Sequence, residues 1–427
     1  PAGNGWILEP ALRVIHANGD TSADLRVVEA AQEGNLTTVV LRDPIYPVEV
    51  TLSFLAHPEF GILEQWATIV HEEDGPVTLT HFASSFLTLF GDSFHLTQFH
   101  GDWGREATVA EEELGSGIKI LDSKAGVRTN QFRLPGFLLA VDQPLHEDEG
   151  KVLAGTLAWP GNFQFLFERE PAGEGRRDRT MGVRTGMNPF GSEYRLRREE
   201  TFMTPRMIWC VGAEGAGDVS RRLHRWARTH VIREGDRVGP ILLNNWEATY
   251  FNFDAPKLHS LFEKAADLGF ETFLLDDGWF GRKYPRNDDT QGLGDWMPIQ
   301  EKIGGTINDL ALVANQCGVD FGIWVEPEMV NPKSELYEAH PDWVIVQRSR
   351  DHELRRHQLN LDLSNPDVEE YVFSVVDTIL SESPNVDFVK WDCNRYVTQP
   401  GSFHLAPEDQ SSLFIRYPRA ILRVFQR

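Results

Sequence analysis

Cysteine is nearly absent from this chain of 427 residues, with three in all: Cys210, Cys317 and Cys393. So few, so scattered and odd in number, they exclude a disulfide framework or a cysteine metal knuckle, and a reducing, cytoplasmic setting is the simple expectation. Basic charge is also scarce. Against 64 Asp and Glu stand only 41 Lys and Arg, a formal charge of −23, which disfavours nucleic acid and anionic membranes as partners. No apolar run approaches the roughly 18 to 20 residues of a membrane span. The opening Pro1 to Glu9 lacks the parts of a signal peptide, and a start at Pro1 implies that the original beginning is lost. The histidines His340, His352 and His357 form no H-E-x-x-H pattern, and no phosphate-binding glycine loop occurs, so neither a metal nor any other cofactor is expected. Solenoid repeats and low-complexity tracts are lacking too.

What is present is ordinary globular material, 41% hydrophobic and 25% charged, in a length that exceeds one hydrophobic core. Two domains are therefore expected. From about Gly5 to Gly212 the chain alternates with period two, as in Val48-Glu49-Val50-Thr51-Leu52-Ser53-Phe54 and Pro76-Val77-Thr78-Leu79-Thr80. Turn signals recur at Asp74-Gly75-Pro76, Gly115-Ser116-Gly117 and Gly173-Glu174-Gly175. Half-buried antiparallel strands in a large β-sandwich follow, over residues 1–215. Residues 216–239 read as a linking helix with Val219, Leu223 and Trp226 on one face. The sequon Asn35-Leu36-Thr37 would matter only in a secreted protein.

After Pro240, over 240–427, short apolar strands alternate with amphipathic helices, expected near Lys257–Leu268, Asp309–Cys317 and Ser411–Phe425. Each strand ends in polar residues: Leu243 leads to a polar tip, Leu275 to Asp276-Asp277, Val325 to Glu326 and Trp391 to Asp392. Repeated βα units with continuous apolar strands indicate a parallel sheet, and the four of them are expected to be the first half of a (β/α)8 barrel with its active groups at the carboxyl ends of the strands, the alternative being an open sheet.

Asp392 leads the candidates for chemistry, because it leaves an apolar strand at the rim where a substrate would lie. Lys390 shares its strand parity, and its proximity would favour the charged carboxylate that a nucleophile requires. A structural Lys–Asp pair is the alternative. Asp276 and Asp277, at a strand end followed by Gly278, can both turn over the mouth and accept bonds from hydroxyls, or one of them can cap a helix. Trp246, Trp279, Trp296 and Trp324 fall in loops or strand ends, where flat indoles would border the rim and face sugar C–H groups, or else sit in the core. Glu326 and Glu328, two residues apart, are either acid/base groups or parts of a structural turn.

In Leu243-Asn244-Asn245-Trp246-Glu247-Ala248, Leu275-Asp276-Asp277-Gly278-Trp279-Phe280, Gly292-Leu293-Gly294-Asp295-Trp296, Trp324-Val325-Glu326-Pro327-Glu328-Met329-Val330 and Lys390-Trp391-Asp392-Cys393-Asn394-Arg395, the chain resembles the α-galactosidases of glycoside hydrolase family 36. The resemblance implies an N-terminal β-supersandwich before the barrel, and retaining hydrolysis of terminal non-reducing α-D-galactose from oligosaccharides such as raffinose and melibiose. It implies Asp392 as nucleophile, with Asp276, Asp277, Lys390, Asn394, Arg356, Trp324, Trp246 and Trp391 as substrate contacts. It also implies that the acid/base Asp lies outside this chain, which would then be a fragment, and that the protein is a homo-oligomer, a tetramer among relatives. Cys393 departs from the usual Met, and Arg355-Arg356-His357-Gln358-Leu359 from Gly-Arg-Asn-Gln-Leu, which puts Arg356 in question. Rival outcomes are galactosyl transfer of the raffinose or stachyose synthase kind, action on α-N-acetylgalactosamine, and a catalytically incomplete carbohydrate-binding fragment.

Overall fold

A computed structural model describes residues 1–3, 5–127, 131–169 and 180–427, so the turn expected at Gly173-Glu174-Gly175 lies outside the described residues. The chain divides into two compact units, Pro1–Arg237 and Val238–Arg427.

The first unit is built of antiparallel strands in a ten-stranded and a six-stranded sheet. In the larger sheet, Val48–His57 pairs with Ile62–His71 from Val48 opposite His71 to His57 opposite Ile62. Their residues alternate in burial along much of their length, as the period-two pattern requires. The smaller sheet is organised around the 14-residue strand Val77–Phe90, which pairs with Thr180–Met187. The two sheets meet through aromatic side chains: Phe137 of the larger stands edge-on to Phe165 and Phe167 of the smaller. Trp209 crosses the same interface to donate its indole N–H to Ser85 Oγ at 3.2 Å.

The expected linking helix is shorter than its 216–239 window, running Gly215–His230. Its Val219 and Trp226 are buried in one cluster with Ile62, Ala140, Val152, Ile208 and Cys210, and Leu223 packs against it. The expected helix face is therefore the real one, and it is covered by the sheet of the first unit, to which the helix belongs.

In the second unit the strands Leu242–Asn244, Thr272–Leu275, Asp320–Val325 and Val386–Trp391 form a parallel sheet in chain order. Helices Ala255–Asp267, Ile307–Cys317 and Pro366–Glu382 connect them, and Leu413–Gln426 follows the last. Local chemistry sets the helix starts. Asp254 caps the first by accepting from Lys257 N, Thr306 and Asp309 form a capping box on the second, and Asn365 caps the third ahead of Pro366. The core between sheet and helices holds Phe262, Phe273, Phe321, Leu275 and Ile323. Burying one such side chain stabilises by about 1.5–3 kcal/mol. Among the described residues no helix is long and apolar enough to cross a membrane.

Candidate active site

Parallel pairing in close register puts all four strand ends on one edge of the sheet, where the chain delivers Asn244, Asp276, Glu326 and Asp392. Asp392 extends the ladder by one bond, its N–H donating to Val325 O at 2.8 Å. Its carboxylate receives three donors. Trp324 Nε1 reaches Oδ2 at 2.9 Å, Asn394 Nδ2 reaches the same oxygen at 2.6 Å, and the Cys393 N–H reaches Oδ1 at 3.0 Å. The side chain is half-buried, so it is held on three sides and still accessible.

Lys390 does not hold Asp392, contrary to the expectation from strand parity. Its Nζ pairs with Asp276 Oδ2 at 2.8 Å, an oxygen that also accepts Asn244 Nδ2 at 2.7 Å. The first, second and fourth strands are thus tied together through one carboxylate. Asp276 also accepts the N–H of Asp277 on Oδ1, while its own N–H donates to Asn245 Oδ1.

Asp277 is bound by a residue with no sequence signal, Arg286, through Nε and Nη2 at 2.8–3.1 Å. Arg286 is itself buried and donates onward to Gln291 O and Asn331 Oδ1. Burial raises the pKa of Asp277 despite this cation, the desolvation cost outweighing the ion pair. The turn that aims both carboxylates depends on Gly278, whose φ of +109° and 3.0 Å clearance to Phe251 admit no side chain. Lys302 clamps the turn from beneath, donating to Gly278 O and Phe251 O, and burial lowers its pKa to about 8.

Three of the four tryptophans expected at the rim are core. Trp279, Trp296 and Trp324 are all buried, close to one another and to Phe280. Only Trp246 is partly exposed, with Tyr250 and Phe251 edge-on to its ring. Trp391, expected among the sugar contacts, lies on the opposite strand face from Lys390 and Asp392. Its N–H donates to Glu328 and its ring packs on Phe425 of the terminal helix.

The two glutamates separate by environment. Glu328 is buried and accepts from Trp391 Nε1 and from Tyr417 Oη at 2.5 Å, which ties the fourth strand to the terminal helix. Glu326 is 1% exposed and accepts from Asn394 N at 2.6 Å and Gln358 Nε2 at 3.3 Å. Burial, and next the negative charge of Asp392, push its pKa up to about 8, so at neutral pH it is a neutral acid beside the candidate nucleophile. Arg356 sits in an exposed turn at φ +51°, and among the described residues its guanidinium has no partner.

Sequence reasoning missed Arg286, Asn331 and Tyr417. Each acts on a partner distant in the chain, and none belongs to a spacing pattern. The second unit, among its described residues, has no group of three metal-type ligands; the one such group, His57, Glu59 and His230, is in the first unit.

The Melibiase family model matches residues 201–427, and that of the glycosyl hydrolase family 36 N-terminal domain matches 1–197. Alpha-galactosidase AgaA of Geobacillus stearothermophilus is 34% identical over an alignment of 446 positions, covering 99% of this chain and 59% of that protein. Alpha-galactosidase C of Emericella nidulans is 32% identical, at 99% and 58% coverage. Among solved structures, alpha-galactosidase AgaB of G. stearothermophilus superposes with a TM-score of 0.93 at 32% identity, covering all of this chain and 60% of that one. A variant of AgaA in complex with raffinose gives the same TM-score and identity, at 100% and 61% coverage. The chain thus spans about three fifths of the length of these relatives.

Proposed function

Since this chain belongs to the Melibiase family and carries the glycosyl hydrolase family 36 N-terminal domain, we propose that its strand-end carboxylates serve a retaining α-galactosidase. Asp392 is the nucleophile of this reading. The observation that carries it is the fixed carboxylate itself, aimed by Trp324, Asn394 and the Cys393 N–H on the same sheet edge as the Lys390–Asp276 pair. The substrates are oligosaccharides ending in α-linked galactose, in line with the raffinose complex of the AgaA variant. The four βα units then form half of a (β/α)8 barrel whose mouth holds the sugar.

Attack by Asp392 on the anomeric carbon gives a β-galactosyl ester and releases the leaving oxygen to a proton donor; water, activated by the same group, then breaks the ester with net retention. Asp276 accepts from one galactose hydroxyl and Lys390 donates to another, while Asn394 both orients Asp392 and reaches the sugar. Arg356 is the exposed cation left to meet a further hydroxyl, and Trp246 offers a partly open ring. Trp324 acts on the nucleophile through its N–H, and Asp277, gripped by Arg286, shapes the turn that presents Asp276.

The proton donor is not among these carboxyls. Asp276 is ion-paired and Glu328 is locked beneath Trp391 and Tyr417. Glu326 lacks an open face. A separate carboxyl must therefore stand about 5–5.5 Å from Asp392 across the sugar. Trapping with 2-deoxy-2-fluoro-galactosyl fluoride on the full-length natural protein, followed by peptide mapping, tests the assignment. Label on Asp392 is expected; label elsewhere, or none in a protein that still turns over, sinks it.

A further inference from the structure

The group His57, Glu59 and His230 belongs to neither the sugar site nor its unit. His57 ends the strand Val48–His57, Glu59 sits in the turn that follows, and His230 lies in the last turn of helix Gly215–His230. One ligand atom from each can be chosen so that all three lie within 4.8 Å of one another. His230 Nε2 is 3.8 Å from Glu59 Oε1, and the two imidazole rings stand 4.6 Å apart between centroids.

We propose that these three side chains bind a divalent transition metal of the zinc class, which clasps the end of the helix to the β-hairpin turn. The orientation of His57 is the second, independent observation. Its Nε2 lies 2.8 Å from Oε1 of Glu64, a buried carboxylate whose Oε2 accepts from Arg206 at 2.6 Å. With Nε2 taken by Glu64, Nδ1 makes no hydrogen bond among the described residues and is the ring nitrogen left for a metal. That is the carboxylate–histidine arrangement that orients metal-binding imidazoles and makes them more basic. The ring of His230 is steadied in turn by Phe60 and Trp226.

Two imidazole nitrogens and one carboxylate oxygen are the donor set that zinc takes in three-ligand sites, with water in the fourth position. Here the fourth position faces solvent, since the Glu59 side chain is 55% exposed and that of His230 is 35% exposed. Ligands about 2.0–2.2 Å from a tetrahedral metal stand roughly 3.3–3.5 Å apart. Small rotations of the exposed Glu59 and His230 would close the present spacing. A cation at this point also meets the negative end of the helix dipole, which favours it. A competing reading, in which His230 merely packs on Phe60, leaves His57 Nδ1 without a use.

The test uses the whole chain after chelator treatment, titrated with Zn2+ by calorimetry and with Co2+ by visible absorption, beside His230→Gln and Glu59→Gln. Both substituted residues are exposed, so folding is retained and can be checked by melting without metal. Expected are one Zn2+ per chain and a Tm rise of about 5–10 °C for the first unit at a hundredfold excess over Kd. Each variant should bind at least about tenfold more weakly, and the Co2+ absorption should fade with it. Absence of saturable one-to-one binding overturns the proposal. So does wild-type affinity in both variants, which would move the metal to the cysteines or another surface.

Discussion

Glu326 offers the sharpest physical test, because a buried acid that stays protonated at neutral pH leaves a signature in stability. Its pKa is raised from 4.5 to about 8, first by burial and then by the charge of Asp392. The folded state therefore holds the proton more tightly than the unfolded chain does. The resulting stability is fully present below pH 4.5 and is lost as pH rises through about 8. Between pH 6 and pH 9 the loss from this one group is about 2.5 kcal/mol, at 1.36 kcal/mol per pH unit where the two states differ by a full proton. Lys302 works in the opposite sense. Its pKa is lowered to about 8 by burial, so its contribution to stability rises with pH above that point and blunts the raw slope. The comparison that isolates Glu326 is between wild type and Glu326→Gln, a substitution that keeps shape and removes the titration. Urea unfolding followed by tryptophan emission at pH 6 and 9 should show the variant losing about 2.5 kcal/mol less than wild type over that interval. Equal losses in the two proteins would refute the neutral-acid assignment.

Asp392→Asn should lower kcat of the full-length protein on an aryl α-galactoside by about 10^4-fold or more, with the melting temperature retained; a fall under tenfold would count against a nucleophile there. Arg286→Met removes the cation paired with buried Asp277 and should cost about 3–5 kcal/mol of stability, measured by urea unfolding, a loss that the double variant with Asp277→Asn should largely restore. Tyr417→Phe removes one of the two donors to buried Glu328 and should cost about 1–3 kcal/mol by the same measurement, without the loss of turnover expected of Asp392→Asn.

Much of the second unit was legible because its grammar is local. An apolar run, a polar tip and a capped helix repeat at a length that only a parallel βα sheet accommodates, and Asp254, Thr306 and Asn365 start the helices. The carboxylates at the strand ends were legible for the same reason. What each one touches was not. Strand parity placed Lys390 beside Asp392, but Nζ sits at the end of a long flexible stem and takes the nearer Asp276. Tryptophans near a rim can serve sugar or core alike, and sequence does not say which; three are buried here, packed on one another and on Phe280. Arg286 and Tyr417 carry no motif, and their partners arrive only through the fold. The meeting of His57 with His230 likewise depends on how a helix from the end of the first unit lies on a hairpin near its beginning.

The pairing of charges at the strand ends has a consequence for the field that a substrate meets. Lys390 neutralises Asp276, Arg286 neutralises Asp277, and Glu326 keeps its proton at neutral pH. Asp392 has amide and indole donors but, among the described residues, no cation on its carboxylate, so it is the one unbalanced charge of these four. A neutral sugar would then bind with little dependence on ionic strength, despite a protein charge of −23. Positive charge growing on the anomeric carbon as its bond to the leaving oxygen stretches would meet an undivided anion.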